Sequence, residues 1–370
     1  MSTEQQNKFS ILLVVTILAV MLAVVAISMQ PDSEVTENTL IFPEFNDYVN
    51  TINEIRVQSG SGILNLTKQN NIWVVAQADN YPALFTRIRE TAIGLGSMRL
   101  LAEKTTNPDY YPELGVEDPE AEGTSSSQLT VIDDNGNTLA SLIIGNDQHS
   151  SSASGRGGQY VRLPDAGPAL LVEGNLDVST EPMDWIDRNL LDIDPERVMK
   201  IEFAAPDESY SLQRNDDGRL NLNNIPEGKQ ARPDYVINRL EGMLDNLRIE
   251  GVRADTGTVD PQTGTQTTIT TLDGLTVSIY SWAEDGNHFA RFQFHYTSAQ
   301  VAEEVQDTPD SADPGNTANV QEEADALSIT TSGWTYLIPA WKFELFTRKL
   351  DDLVEDIPQP GEGISEASGG

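Results

Sequence analysis

The chain has 370 residues, 38% of them hydrophobic, which is enough for two domains with packed cores. It carries 58 acids against 23 Lys and Arg, a formal net charge of −35, and such a surface speaks against nucleic acid and anionic lipid as direct partners. It contains no Cys, which excludes disulfides, thiolate metal sites, a cysteine nucleophile and an acylated lipoprotein anchor.

The first long apolar run is ILLVVTILAVMLAVVAISM, Ile11 to Met29, 19 residues without a charge. As a helix it is about 28 Å long, close to the hydrocarbon thickness of a bilayer. Residues 10–29 are therefore expected to be a transmembrane anchor. Lys8 lies in the short segment 1–9 before it, while Asp32, Glu34 and Glu37 follow it, so residues 1–9 are expected in the cytoplasm and the body outside. The localisation implied is the inner (cytoplasmic) membrane, crossed once. The alternative is a cleaved signal peptide with Val24 and Ala26 at the cleavage-site positions, which also places residues 30–370 outside the cytoplasm. Residues 30–48 read as a linker.

The body repeats itself. Ile52, Ile55 and Val57 alternate with polar residues, then a turn at Ser59–Gly62 leads to Leu64, Leu66 and Lys68. Later, Val198, Ile201 and Phe203 alternate in the same way, and Tyr210, Leu212 and Arg214 follow. Ile55 and Ile201, Leu66 and Leu212, and Lys68 and Arg214 are each 146 positions apart. Alternation of period two broken at Asn, Asp and Gly predicts short antiparallel strands in hairpins.

A helix is then expected after Tyr81–Pro82, with Leu84, Phe85, Ile88, Ala92, Leu95 and Met98 at helical spacing, and another after Arg232–Pro233, through Val236, Ile237, Leu240, Met243, Leu244 and Leu247. Strands return at Leu129–Gly145 and Thr268–Ser281, then at Gln159–Leu163 and Phe289–Tyr296. Each half closes on an apolar strand and a short amphipathic helix, at Ala169–Ile193 and Trp334–Ile357. The fold class expected is α+β: two tandem similar units, 49–195 and 196–357, each an antiparallel sheet with packed helices, after one N-terminal transmembrane helix. The stretch 298–327 holds eight acids and no base and is expected to be a disordered insertion in the second unit, and the tail 358–370 is expected to be disordered as well.

Chemistry-bearing patterns are sparse. His288 and His295 lie seven apart on one expected strand, which sends them to opposite faces, and His149 sits in a Ser-rich loop without a nucleophile-elbow frame. Gly155–Gly158 lacks the Lys and the strand-to-helix context of a phosphate loop. Asp133–Asn137 and Asn215–Gly218 do not carry the Gly and Glu spacing of a calcium loop and read as hairpin turns. No catalytic, cofactor-binding or metal residue is assigned, and no cofactor is expected.

Several elements resemble the family named domain of unknown function 4340. They are the strand around Trp73, the turn YYPELGVEDP with Leu114, Gly115 and Pro119, a strand pair ending at Gly145, the pair Tyr160–Val161, and the closing WIDRNLL from Trp185 through Leu190 to Leu191. The resemblance covers nearly all of residues 40–355, though Leu220 stands near where a second Trp would be and the second half has no Tyr-x-x-Leu-Gly turn. It implies an accessory component found beside ABC transporters of the gliding-motility type, with an ABC permease complex as partner and the membrane engaged through residues 11–29. It implies no catalytic residues. Read from their chemistry, the motif residues are structural: Trp73 fills a core and Gly115 supplies a turn. The competing expectations are an envelope glycan- or peptide-binding module using Trp282, Phe289 and Tyr296, and a hydrolase with a site between the two units.

Overall fold

The computed structural model describes residues 39–121, 123–148, 158–164, 167–257, 264–297 and 314–357. It is an α+β fold dominated by two antiparallel sheets. The first half begins with a single helical turn, α1 (Phe45–Tyr48), then β1 (Ile52–Ser59), β2 (Gly62–Gln69), β3 (Ile72–Val75) and β4 (Tyr81–Pro82). The helix α2 (Phe85–Ser97) and β5 (Arg99–Thr105) follow, then the turn α3 (Tyr111–Leu114) and β6 (Ser127–Asp133), β7 (Thr138–Gln148), β8 (Gly158–Arg162) and β9 (Ala169–Glu173). These strands form one nine-stranded sheet in the order β4-β3-β2-β1-β6-β7-β8-β9-β5.

The first half closes on β10 (Asn189–Leu191), and the second contains β11 (Val198–Ala204), β12 (Ser209–Arg214), β13 (Leu220–Leu222), β14 (Lys229–Ala231), α4 (Asp234–Ile237), β15 (Leu247–Arg248), β16 (Gly251–Ala254) and β17 (Thr265–Thr271). It ends with β18 (Leu275–Glu284), β19 (Asn287–Tyr296), α5 (Pro314–Thr331), β20 (Trp334–Leu337), α6 (Ala340–Phe346) and β21 (Val354–Asp356). Its eight-stranded sheet runs β13-β12-β11-β17-β18-β19-β20-β16, the same order of connection as the first sheet without β4.

The registers agree as well. Ile55 faces Leu66 on one side and Val131 on the other, and Ile201 faces Leu212 and Ile269. Lys68 pairs with Trp73, and Arg214 pairs with Leu220. A bulge interrupts β1 between Ile52 and Glu54 against β6, and β11 carries one between Val198 and Lys200 against β17. Local chemistry sets the hairpins. Asn70 and Asn71 take φ of 48° and 68° in the two-residue turn from β2 to β3, and Asp285 and Gly286 take 51° and 79° between β18 and β19. Asn, Asp and Gly are the residues that adopt this left-handed conformation at little cost.

One face of each sheet is buried in a single apolar cluster that includes Ile55, Leu66 and Leu142 of the first and Ile201, Leu212 and Ile279 of the second. On the first sheet α2 covers that face through Ile88 and Leu95, about two helical turns apart. Each such side chain stabilises by about 1.5–3 kcal/mol on leaving water.

The structure corrects four expectations. The helix expected after Tyr81–Pro82 is α2, but the one expected from Val236 through Leu247 is α-helical only over Asp234–Ile237: Asn238–Met243 is a 3₁₀ turn, and Leu247 pairs as a strand with β10. The first half does not close on an amphipathic helix: Pro182–Trp185 is a 3₁₀ turn and Asn189–Leu191 is a strand paired with β15. Of the expected linker 30–48, residues from Thr39 onward are tied down, with Leu40 bridged to Arg99 and Phe45 buried. Of the expected disordered insertion 298–327, residues from Pro314 onward belong to α5. Val320 and Ala324, four apart, are buried, and Leu327 packs beside them, so a narrow apolar stripe docks the helix despite its acids.

Residues 298–313, the anchor segment 10–29 and the tail 358–370 lie outside the described residues. Among the described residues no helix is long and apolar enough to cross a membrane.

Candidate functional site

Strand alternation builds a second, smaller apolar cluster on the opposite face of the first sheet. Along β7, Ala140, Leu142 and Ile144 enter the common core, while Ile143 points the other way. On β8, Val161 enters the core and Tyr160 packs outward. On this outer patch sits the turn α3, which contributes Tyr111, Leu114 and Val116 against Ile143, Tyr160 and Ala169. Gly115 ends the turn at φ +67°, with its N–H donating to the carbonyls of Pro112 and Tyr111. This is the left-handed position at which glycine carries no penalty.

The turn lies against Gly145 because that residue has no side chain. A Cβ there would stand 2.4 Å from the Leu114 carbonyl oxygen, 2.6 Å from Val116 Cγ1 and 2.7 Å from the Gly115 carbonyl oxygen. Next to it, Asn146 Nδ2 donates to the Glu113 carbonyl at 3.3 Å. The buried Arg162 fastens the same turn from β8: its Nε donates to the Val116 carbonyl at 2.8 Å, and its guanidinium lies 4.9 Å from the Tyr111 ring centre. The Tyr111 hydroxyl donates to the Gly167 carbonyl at 3.3 Å. Tyr110, Pro112 and Glu113 are left facing outward, a short polar and aromatic knob.

The structure thus brings together Leu114, Gly115, Gly145 and Tyr160, four of the eight residues singled out in the sequence. Pro119 is buried a few residues beyond. The other three lie elsewhere. Trp73 is buried on β3, and its carbonyl accepts from the Ala83 N–H at 2.8 Å. Trp185 is fully buried, its Nε1 donates to the Ser179 carbonyl at 2.8 Å, and its own carbonyl accepts from the Leu84 N–H at the start of α2. Leu190 is half-buried on β10 against the common core. Trp73 and Trp185 thereby fix the start of α2 to the sheet.

Arg162 and Asn146 escaped the sequence reading. The one available signal was an arginine directly after the apolar pair Tyr160–Val161 of an expected strand, where an unpaired charge is costly. Lys342 on α6 escaped it too. It is buried, and its Nζ donates to the carbonyls of Gly242, Met243 and Asp245 at 3.0, 2.9 and 2.6 Å, while burial lowers its pKa to about 8.

The second sheet fills the corresponding place differently. Val131 pairs with Ala140 and Ile269 with Val277, so Trp282 holds the position in β18 that Gly145 holds in β7. Arg162 pairs with Ile143 and Arg291 with Tyr280, which makes the two arginines equivalent as well. Arg291 lies 5.1 Å from the Trp282 ring centre and pairs with Asp255 at 2.6 Å. Trp282 stacks on Phe289 at 5.8 Å, and Arg253, paired with Glu284, covers Phe289 at 4.1 Å. An indole stands where the first sheet receives a turn, which accounts for the missing Tyr-x-x-Leu-Gly segment in the second half.

Trp282 and Phe289 are buried, and Tyr296 packs on the opposite, core face, so the three do not form the open aromatic platform expected for a glycan site. His295 and His288 share β19, with His288 stacked on Phe343 at 4.4 Å, and His149 lies outside the described residues. Asp133 accepts from the N–H groups of Asn135 and Asn137 at 2.9 and 2.7 Å, the bonding of a hairpin turn. Among the described residues no group of three or more His, Asp and Glu side chains is placed to hold a metal ion.

The chain matches no curated protein and no solved structure. A family model, domain of unknown function (DUF4340), matches residues 73–267, more than half of the chain and a narrower span than the 40–355 over which the resemblance extends. The match begins at Trp73 and takes in the turn, Gly145, Arg162 and Trp185, so the contacts that seat the turn and hold α2 to the sheet lie wholly within it. The chain belongs to the domain of unknown function 4340 family.

Proposed function

We propose that this chain is a noncatalytic, membrane-anchored, extracytoplasmic accessory protein, an auxiliary component of an ABC-type transport system. It is held in the inner membrane by residues 11–29, with its N-terminus inside and its two sheets outside. The observation that carries the reading is the uncharged run of 19 residues ahead of a strongly acidic body. The family resemblance supplies the transporter. The motif residues support a structural role, since Trp73, Trp185 and Arg162 spend their packing and hydrogen-bonding capacity inside the fold.

The two sheets are read as copies of one ancestral unit. Their equal order of connection, the matched registers of Ile55 and Ile201, and the bulge at the same place in β1 and β11 support this. In the first copy the turn α3 presents Tyr110, Pro112 and Glu113 outward, a surface suited to a protein partner.

The test is mild crosslinking in cells, detergent extraction, and identification of what co-purifies with the tagged full chain. Recovery of an ABC permease and its ATPase is expected. Recovery of envelope polymer with no membrane protein would sink the accessory reading in favour of a binding module.

A further inference from the structure

We propose that the outer face of α2 is the face on which the body rests against the bilayer surface. The inference rests on the reading of Ile11–Met29 as an anchor and adds an orientation to it. Along α2, Phe85, Arg89 and Ile93 recur every four residues and fall within an arc of about 80°. All three are exposed, Phe85 to 62% and Ile93 to 60%, although the helix has an ordinary buried side in Ile88 and Leu95. Two large apolar groups separated by an arginine on an open helix face is the composition of a helix lying at a lipid interface. The cation of this stripe is Arg89, since Arg87 beside it is paired with Asp177 at 3.1 Å.

The chain enters the body at the end of this stripe. Gly96, one turn beyond Ile93 and in line with Arg89, lies against α1, where Asn46 Nδ2 donates to its carbonyl at 3.0 Å. A Cβ on Gly96 would stand only 2.2 Å from Asn46 Oδ1. Ile41 N–H donates to the Met98 carbonyl at 3.0 Å, and Leu40 bridges Arg99, so the segment arriving from the N-terminus is fastened to the C-terminal end of α2. Tyr48, on the same entering segment, is 48% exposed. Nine residues separate Met29 from Thr39, and nine residues reach at most about 32 Å. An anchor ending at Met29 therefore keeps this end of α2 close to the bilayer, where Phe85 and Ile93 gain by leaving water and Arg89 meets lipid phosphates.

The absence of cysteine makes the test clean. Single variants Ile93→Cys, Phe85→Cys and, on the exposed side of α4 in the second half, Tyr235→Cys carry an environment-sensitive fluorophore. The full chain is reconstituted into phosphatidylcholine vesicles containing lipids with a nitroxide near the headgroup. Flotation reads the anchor and quenching reads the orientation. Quenching at positions 93 and 85 about twofold stronger than at 235 is expected for a face seated at the interface. Vesicles that float with equal quenching at all three positions overturn the orientation and leave the anchor standing. Failure to float overturns the anchor and the orientation with it. Absence of quenching in vesicles, combined with protection of position 93 from labelling in native membranes, assigns the face to a protein partner and also overturns the proposal.

Discussion

Two residues decide a great deal in this molecule. Gly145 has three atoms of the family turn within 2.7 Å of where a Cβ would be, two of them backbone carbonyl oxygens that cannot swing aside. Gly145→Ala should therefore lift α3 off the sheet and destabilise the protein by roughly 1–3 kcal/mol, read as a lower urea midpoint of the full chain in detergent. An unchanged midpoint would mean that the turn is not packed as described. Lys342 makes the opposite kind of statement. Its ammonium is capped by three carbonyls, and burial brings its pKa down from 10.5 to about 8 against the weaker opposing pull of the Asp245 carboxylate. Below pH 8 the native and unfolded chains both hold the proton, so the burial penalty is constant. Between pH 8 and 10.5 the unfolded chain keeps a proton that the native chain has released, so this group adds stability as pH rises, by roughly 3 kcal/mol at most. Lys342→Met removes that contribution. Wild-type stability minus variant stability should increase from pH 8 to pH 10 in paired urea titrations, and a flat difference would place the ammonium in contact with water.

At the scale of elements, what could be read in advance was what short-range chemistry specifies. Period-two alternation in Ile52–Ser59 and Val198–Ala204, and the turns at Ser59–Gly62, Asp133–Asn137 and Asn215–Gly218, act within a few residues, and they marked the central strands and hairpins correctly. The strands β5 and β16 carry no such alternation and are half-buried or exposed along their length. They exist because β9 and β20 offer free edges to them, and pairing across tens of residues leaves no local trace. Helix α5 was hidden for a similar reason. Its acids suggested an unfolded loop, yet Glu323 meets the guanidinium of Arg197 in a two-pronged contact at 2.9 and 2.8 Å, 126 positions away, and Ser328 donates to the Phe294 carbonyl. The candidate site was half legible. The residue types of the turn and Gly145 drew attention, while its partners Asn146 and Arg162 became meaningful only once the sheet placed them beneath it.

At the scale of the whole molecule, the two sheets are joined by few but specific contacts. Tyr81 on the edge strand of the first sheet meets Trp334 at 4.8 Å and Tyr336 at 6.2 Å, both edge to face, on β20 of the second. Asp79, held at φ +54°, accepts from the Ala254 N–H at 2.9 Å and so covers the outer edge of β16. Strand β10 pairs with β15, and the Ile193 N–H donates to the Leu244 carbonyl. The apolar cluster runs without a break from Ile55 to Phe346. A shared core predicts shared fate: the two sheets should unfold together. Trp73 and Trp185 report on the first half and Trp282 and Trp334 on the second, so tryptophan fluorescence and far-ultraviolet circular dichroism should trace one coincident transition. Tyr81→Ala removes a ring from two aromatic contacts and a largely desolvated site, a loss of about 3–4 kcal/mol. In a single cooperative unit that loss lowers the one transition by several degrees without dividing it. If the variant splits into two transitions, Tyr81 is the coupling between separately stable halves. If the unsubstituted chain already shows two, the sheets are independent bodies, and an assembly role would rest on each of them alone.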